Sequence, residues 1–355
     1  MSAGEVRGPP RYNSGVVTGP PIAIGGAVAT DAGFSLAGIS ASADGTLTVR
    51  PPPAVVFPDS NAVNVELRLV DRSGTGSRVA TARLFSYVMA LSPIDSRMLA
   101  TSIQDLRAGT HHLSLVDLSK DRTEPMTTTR GYSGLPVWSA DGKRLAYAYQ
   151  PPGQINDVYI KDLGTGAIQP VIETPKRGEH PVAWSHDGRS LLVFTYDDDK
   201  ASLSSWSFAS RTLTPFTGPG ALESAAFSPR DDYVAFASRE SGRPEVYVTT
   251  FPDHRQTWPL TTEGGQVLSW SKDGREILVA TLSGHIVGYP ISTDGGFSRG
   301  QPATVVRDVG SAAAYSTATR DHSRIVIRVS PDAAKDKGEI RVLFGWQDAL
   351  RQRNR

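Results

Sequence analysis

A chain of 355 residues without cysteine can hold no disulfide framework, thiolate nucleophile or cysteine-based zinc site. Its 37 Lys plus Arg nearly balance 36 Asp plus Glu, and Arg351, Arg353 and Arg355 at the end leave a slightly acidic body, which argues against a phosphate-binding groove and so against nucleic acid as a partner. No run approaches the ~18 apolar residues that cross a bilayer, and Met1-Ser-Ala-Gly-Glu-Val-Arg lacks the apolar centre of a signal peptide, so no membrane span is expected.

Residues 1–19 are rich in Gly and Pro, lack periodicity and predict an extended, linker-like lead-in. The first predicted strand is Pro21-Ile-Ala-Ile-Gly25, whose nearest internal match, Pro302-Ala-Thr-Val-Val306, also follows a Gly-x-Pro. A longer pattern then recurs: an apolar strand, a Ser-x-Asp-Gly turn and a second strand. It is clearest in Leu135-Pro-Val-Trp-Ser-Ala-Asp-Gly-Lys-Arg-Leu-Ala-Tyr-Ala-Tyr149, His180-Pro-Val-Ala-Trp-Ser-His-Asp-Gly-Arg-Ser-Leu-Leu-Val-Phe194 and Gln266-Val-Leu-Ser-Trp-Ser-Lys-Asp-Gly-Arg-Glu-Ile-Leu-Val-Ala280. Seven turns align, starting at Ser42, Ser92, Ser139, Ser185, Ser228, Ser271 and the degenerate Thr319, spaced 50, 47, 46, 43, 43 and 48 residues apart. That spacing is close to the roughly 40 to 45 residues of a four-stranded propeller blade.

The turns have a mechanical purpose. Asp accepts backbone N–H bonds, Ser or Thr does so more weakly, and Gly supplies the positive φ of a tight hairpin. Where Gly is missing, Ser96, Asp232 and His322 are expected in its slot. The third repeat predicts strands over 135–139, 144–149, 157–162 and 167–172, and the fifth over 224–227, 233–238, 245–250 and 256–260. Val158 and Ile160 alternate with Tyr159, and Val246 and Val248 with Tyr247, so both sheet faces must be packed. Trp138, Trp184, Phe227 and Trp270 share one position and are expected between sheets. The seventh repeat offers three strands, 313–317, 324–329 and 339–344, and the segment 21–25 matches its missing fourth. The expectation is therefore an all-β propeller of four-stranded antiparallel blades, seven in number with six as the alternative. It forms a single domain over 20–345, closed by pairing of N- and C-terminal strands, with a short basic tail over 346–355 able to form one or two helical turns.

Repeats of the form Pro-x-Trp-Ser-x-Asp-Gly-(Lys/Arg), followed by Val-Tyr-Val/Ile, resemble the WD40-like PD40 repeats of TolB-type propellers over roughly residues 20–345. The ending Ile340-Arg-Val-Leu-Phe-Gly-Trp-Gln-Asp-Ala-Leu350 and the first repeat, Ser40-Ala-Ser-Ala-Asp-Gly-Thr-Leu47, also look like the C-terminal propeller region of some bacterial Ser/Thr kinases. The resemblance implies a periplasmic or extracellular binding propeller, with sensing as its role. No kinase motif is present in the chain.

Candidate chemistry is sparse. Gly296-Phe-Ser-Arg-Gly300 fits a nucleophile elbow but falls between the last two strands of the sixth repeat, where a hairpin loop is expected. His111 and His112 are neighbours that point to opposite faces of a strand, and Asp197-Asp-Asp199 lacks the spacing of a calcium loop. No catalytic set, metal site or cofactor is expected. In propellers, the loops leading into the innermost strands surround the central channel. By that rule Phe34, Tyr87, Tyr132, Glu179, His180, Leu222, Glu223, Gln266 and Ser311 gather at its mouth, where they could recognise a protein or peptide partner or a small polar ligand. The function expected is non-catalytic binding. The alternative is a propeller lyase or the propeller half of a prolyl-oligopeptidase-like hydrolase.

Overall fold

The computed structural model describes residues 63–329, except 106–109, 176, 198–199 and 219, together with short strands between residues 5 and 49 and at 341–344. The chain divides into two units, Asn64–Val329 and Met1–Val63 with Ser330–Arg355.

In the larger unit the repeats become four-stranded antiparallel sheets. The third repeat folds as Tyr132–Trp138, Arg144–Gln150, Asp157–Asp162 and Ile168–Ile172, and the fifth as Ala221–Phe227, Tyr233–Ser238, Glu245–Thr250 and Thr257–Pro259. Between them lie Gly178–Trp184, Ser190–Asp197, Lys200–Ser207 and Thr212–Pro215, and after them Gln266–Trp270, Glu276–Ala280, Ile286–Ser292 and Ala303–Val306. Counting along the chain, the second sheet begins at Tyr132, the third at Gly178, the fourth at Ala221 and the fifth at Gln266. The first is the end of Gly76–Leu91 with Met98–Asp105, Thr110–Asp117 and Arg122–Pro125.

A sixth sheet is assembled from both ends of the unit. Arg324–Val329 pairs antiparallel with Val63–Asp71, the strand Gly76–Leu91 lies beyond, and Thr317–Ala318 is the inner member. The innermost strands touch in a cycle, with Thr317–Ala318 against both Gln266–Trp270 and Gly76–Leu91. This unit holds six of the seven turns. The other, at 42–45, lies outside the described residues, between Ile39–Ala41 and Thr46–Val49 in the smaller unit.

The closing strand differs from the expected one. Ile22–Ala27 pairs with Glu5–Gly8, inside the supposed lead-in, while Arg341–Phe344 pairs with Thr46–Val49. The physical reason lies in the two candidates. Val63–Asp71 offers Val65, Leu67 and Val70, all buried, whereas Pro21-Ile-Ala-Ile-Gly25 is short and its proline lacks a ladder donor. The expected strand 313–317 is also shortened: Gly310–Tyr315 is a 3-10 helix and only Thr317–Ala318 pairs. The tail at 346–355 lies outside the described residues.

Between consecutive sheets lie apolar clusters, each fed from both sides. Trp184 packs with Val158 and Ile160 of the second sheet and Leu191 and Val193 of its own. Phe227 meets Leu192 and Leu203, and Trp270 meets Val246 and Val248. Trp138 packs against a cluster of Ala100, Leu113, Leu145 and Tyr147 and donates its indole N–H to Ala90 O at 2.9 Å in the preceding sheet.

The turns behave as local clamps. Ser139 Oγ donates to Asp141 Oδ1 (2.6 Å) and accepts from Arg144 N (2.9 Å), with Gly142 at φ 68°. Ser185, Ser271 and Thr319 repeat the arrangement with Asp187, Asp273 and Asp321. His322 takes the glycine slot as expected, at φ 55°. In the fifth repeat the left-handed residue is Asp231 at φ 59°, one position before the expected Asp232. Asp232 instead accepts from Ser228 Oγ (2.7 Å), while Asp231 accepts the N–H groups of His186 and Asp187 in the preceding sheet's turn (both 2.9 Å). Ser96 is not among the left-handed residues.

The join between fifth and sixth sheets carries a polar clasp. Glu276 accepts both terminal nitrogens of Arg72 at 2.8 Å, and His322 Nδ1 lies 2.8 Å from its Oε2. Burial by itself pushes this carboxyl up, but hydrogen bonds from His322 and Arg72 and the Arg72 charge outweigh it and hold the pKa at about 2. The clasp therefore adds stability above the ordinary carboxylate range, and that stability fades as pH falls from about 4.5 toward 2. Glu276→Ala is expected to cost about 2 kcal/mol in urea unfolding at pH 7, and Glu276→Gln to flatten the acid limb of the stability curve.

Candidate functional site

The innermost strands carry two different ends. Their trailing ends run into the clamped turns. Their leading ends are separated from the turns by a bulge that recurs in four sheets, between Gly134 and Val137, Pro181 and Ala183, Ala221 and Ala225, and Val267 and Ser269. One extra residue on the inner strand, or two between Ala221 and Ala225, re-aims what precedes it. The chain thereby frees its leading ends from the strict alternation that fills the core.

The expected site residues divide three ways. Phe34 lies outside the described residues, and Tyr87, Leu222, Glu223 and Ser311 are placed by backbone alone, the first three on inner strands and Ser311 in the 3-10 helix. Tyr132 and Gln266 are half-buried at the first positions of their strands. The Tyr132 ring folds back over Gly134, where a Cβ would collide with it, and meets His111 edge-on at 5.7 Å. Glu179 and His180 are almost wholly buried.

Glu179 and His180 do not act as a pair. Directly opposite residues in an antiparallel ladder share a face. His180 sits opposite Phe194 and stacks on it at 4.9 Å, on the side facing the fourth sheet. Glu179 sits opposite Thr195, on the side of Leu191 and Val193, which face the second sheet.

On that side Glu179 meets a group of residues absent from the expected set. Its N–H donates to Asn156 O at 2.9 Å, its Oε1 accepts from Thr174 Oγ1, and Arg177 Nε lies 3.7 Å from the same oxygen. Asp157 and Glu173 stand close by. Tyr159 donates its hydroxyl to Glu173 Oε1 (3.2 Å), and Thr174 donates its backbone N–H to Asp157. Burial pushes Asp157 up, and it pushes Glu179 up to about 7, with the Asp157 charge adding to the rise while Thr174, Arg177 and His180 oppose it. In front of these groups an open cleft of ≈ 650 Å³ is lined by Asp157, Glu173, Thr174, Pro175 and the 153–155 loop.

The sequence carried a signal for this place. In the first, third and fourth sheets a threonine follows the outer strand and its hydroxyl accepts a third-strand N–H: Thr127 from Leu113, Thr217 from Leu203 and Thr261 from Val246, at 2.8–3.2 Å. In the second sheet that position, two residues after the proline that pairs with the third strand, is Ile172, and Glu173 follows directly.

The other motifs settle as turn and loop chemistry. Ser298 lies exposed on the two-residue strand Ser298–Arg299, paired with Ile291 and Ser292, with no helix following. Asp197 pairs across a hairpin with Lys200, and 198–199 lie outside the described residues. Among the described residues no group of three or more His, Asp or Glu could hold a metal ion, and no helix is long and apolar enough to cross a membrane.

Four-stranded sheets packed face to face around a cycle of inner strands define a β-propeller. The PD40 family model, described as the TolB beta propeller domain, matches residues 67–295, and the chain belongs to that family. Among solved structures, a TolB assigned in Agrobacterium tumefaciens aligns with a TM-score of 0.57 at 16% identity, covering 75% of this chain and 98% of its own. TolB from Acinetobacter baumannii aligns with a TM-score of 0.52 at 17% identity, covering 85% of this chain and 80% of its own.

The raised Glu179 pKa sets a pH dependence. A carboxyl that holds its proton to about pH 7 when folded contributes stability that is present below about 4.5 and lost as pH rises through 7. Glu179→Gln is expected to remove that loss, leaving the variant on the order of 2 kcal/mol more stable than the parent at pH 8 and little changed at pH 4.5, by chemical denaturation at the two pH values.

Proposed function

We propose that this chain is a non-catalytic binding propeller which recognises a protein or peptide at the leading ends of its innermost strands. The observation that carries the proposal is the contrast between the two ends of those strands. At the turns the serines and aspartates are committed to each other and to backbone N–H groups, sheet after sheet. At the leading ends the repeats diverge into Tyr132, Glu179, His180 and Gln266, set on bulged strands and mixing aromatic with polar groups. The family membership supports the same reading. A periplasmic or extracellular setting, as the sensor part of a larger signalling protein, completes the proposal.

Selection of displayed peptides on the full chain tests it. Selected binders are expected to lose at least about tenfold in affinity, about 1.4 kcal/mol, on Tyr132→Ala or Gln266→Ala. Panels of hydrolase and lyase substrates are expected to show no turnover. Turnover that disappears on His180→Ala or Ser298→Ala would replace the binding reading with the enzymatic one.

A further inference from the structure

The cleft beside the second sheet has, on its wall and behind it, hydrogen-bond acceptors in excess of donors among the described residues. Asn156 Oδ1, Asp157 Oδ1 and Glu179 Oε2 are all buried and none has a hydrogen-bond partner, although Glu179 as a whole is 0% exposed. An amide oxygen and ionised carboxylate oxygens only accept, so once Glu179 ionises these three atoms cannot satisfy one another. Leaving such atoms without donors is costly. Arg177, half-exposed, approaches only the other oxygen of Glu179.

A carboxylate in the fourth sheet shows what a completed site looks like in this fold. Glu245, like Asp157, opens the third strand of its sheet. It accepts from Thr261 Oγ1 and Gly264 N (3.0 Å) on one oxygen and from Arg243 Nε (2.6 Å) on the other. The second sheet has Ile172 in place of that threonine, so Asp157 lacks the equivalent hydroxyl donor, and Glu173 directly after it adds a further carboxylate to the wall of the cleft.

We infer that this cleft is a cation subsite, which takes the ammonium or guanidinium group of a lysine or arginine side chain presented by a protein partner. The inference rests on the binding reading above. An ammonium brings three N–H donors and a guanidinium five, which suits the carboxylates of Asp157 and Glu173 on the cleft wall with Asn156 and Glu179 close behind them. A metal ion fits less well, since no group of three His, Asp or Glu among the described residues is arranged to hold one.

Pentalysine titrated into the full chain by calorimetry is the test. Expected is saturable binding that weakens at least tenfold in the double variant Asp157→Asn with Glu173→Gln, and that vanishes for fully acetylated pentalysine. The control Glu124→Gln with Glu240→Gln, which removes two exposed carboxylates elsewhere, is expected to leave binding unchanged. Affinity is also expected to rise with pH through about 7 as Glu179 ionises among Asp157, Thr174, Arg177 and His180, and to lose that rise in Glu179→Gln. Equal affinity for the parent and the cleft variant, or no binding at millimolar pentalysine, overturns the inference. If pentalysine fails while selected peptides still depend on Tyr132 and Gln266, the cation subsite falls alone. If pentalysine binds in the cleft while no selected peptide depends on those two residues, the cleft stands and the wider face falls.

Discussion

No sheet in this fold can bury its own surface. Residues such as Val158 and Tyr159, or Val246 and Tyr247, place apolar side chains on both faces of one strand, so each sheet is stable only between two others. Trp184, Phe227 and Trp270 fill the spaces so created, and truncating a side chain of that size in a packed core typically costs about 3–5 kcal/mol. A row of such sheets has two open ends, and joining them removes both at once. The pairing of Val63–Asp71 with Arg324–Val329 does this, and the Arg72, Glu276 and His322 clasp seals the next gap.

The same constraint decides where variation is tolerated. Along the body of each inner strand, a change of residue is felt by two neighbouring sheets. At the turns, Ser, Asp and Gly are fixed by a hydrogen-bond pattern that repeats from sheet to sheet, and Asp231 extends it by holding the preceding turn as well as its own. The leading ends lie beyond the bulges, where pairing resumes out of step with the turn side. Differences such as Tyr132, Glu179 and Gln266 can accumulate there without disturbing the inter-sheet clusters.

What could be read from the residues follows the same division. Turn chemistry was legible because it is written many times, and the glycine slot of His322 was identified correctly. The second-to-third-strand grammar gave 157–162, 233–238 and 245–250 to the residue. The closing strand was not legible, because the partner of Arg324–Val329 lies more than 250 residues away and does not carry the repeat's turn. Placing the left-handed residue at Asp232 rather than Asp231 failed because Ser228-Pro-Arg-Asp-Asp carries two aspartates that divide the roles of Asp and Gly between them. At the candidate site, position along the strand singled out Glu179 and His180 but could not show that they face different neighbours.

Glu173 marks the limit of reading by likeness. A search for repeats weights the positions that agree, so the threonine in three sheets would register, while Ile172 in the second and the glutamate after it would pass as noise. Physically the order is reversed. The threonines are spent within the fold on third-strand N–H groups, whereas Glu173 accepts from Tyr159 and leaves its charge at a cleft that already holds Asp157 and, behind Thr174, Glu179. Among the described residues, three carboxylates beside one half-exposed arginine are a local excess that the fold does not need for closure, packing or turns. Other buried atoms without a partner, such as Ser133 Oγ and the indole nitrogens of Trp184 and Trp206, carry no charge, whereas two carboxylate oxygens and an amide oxygen left unpaired near one cleft are a concentration of acceptors that folding alone does not explain.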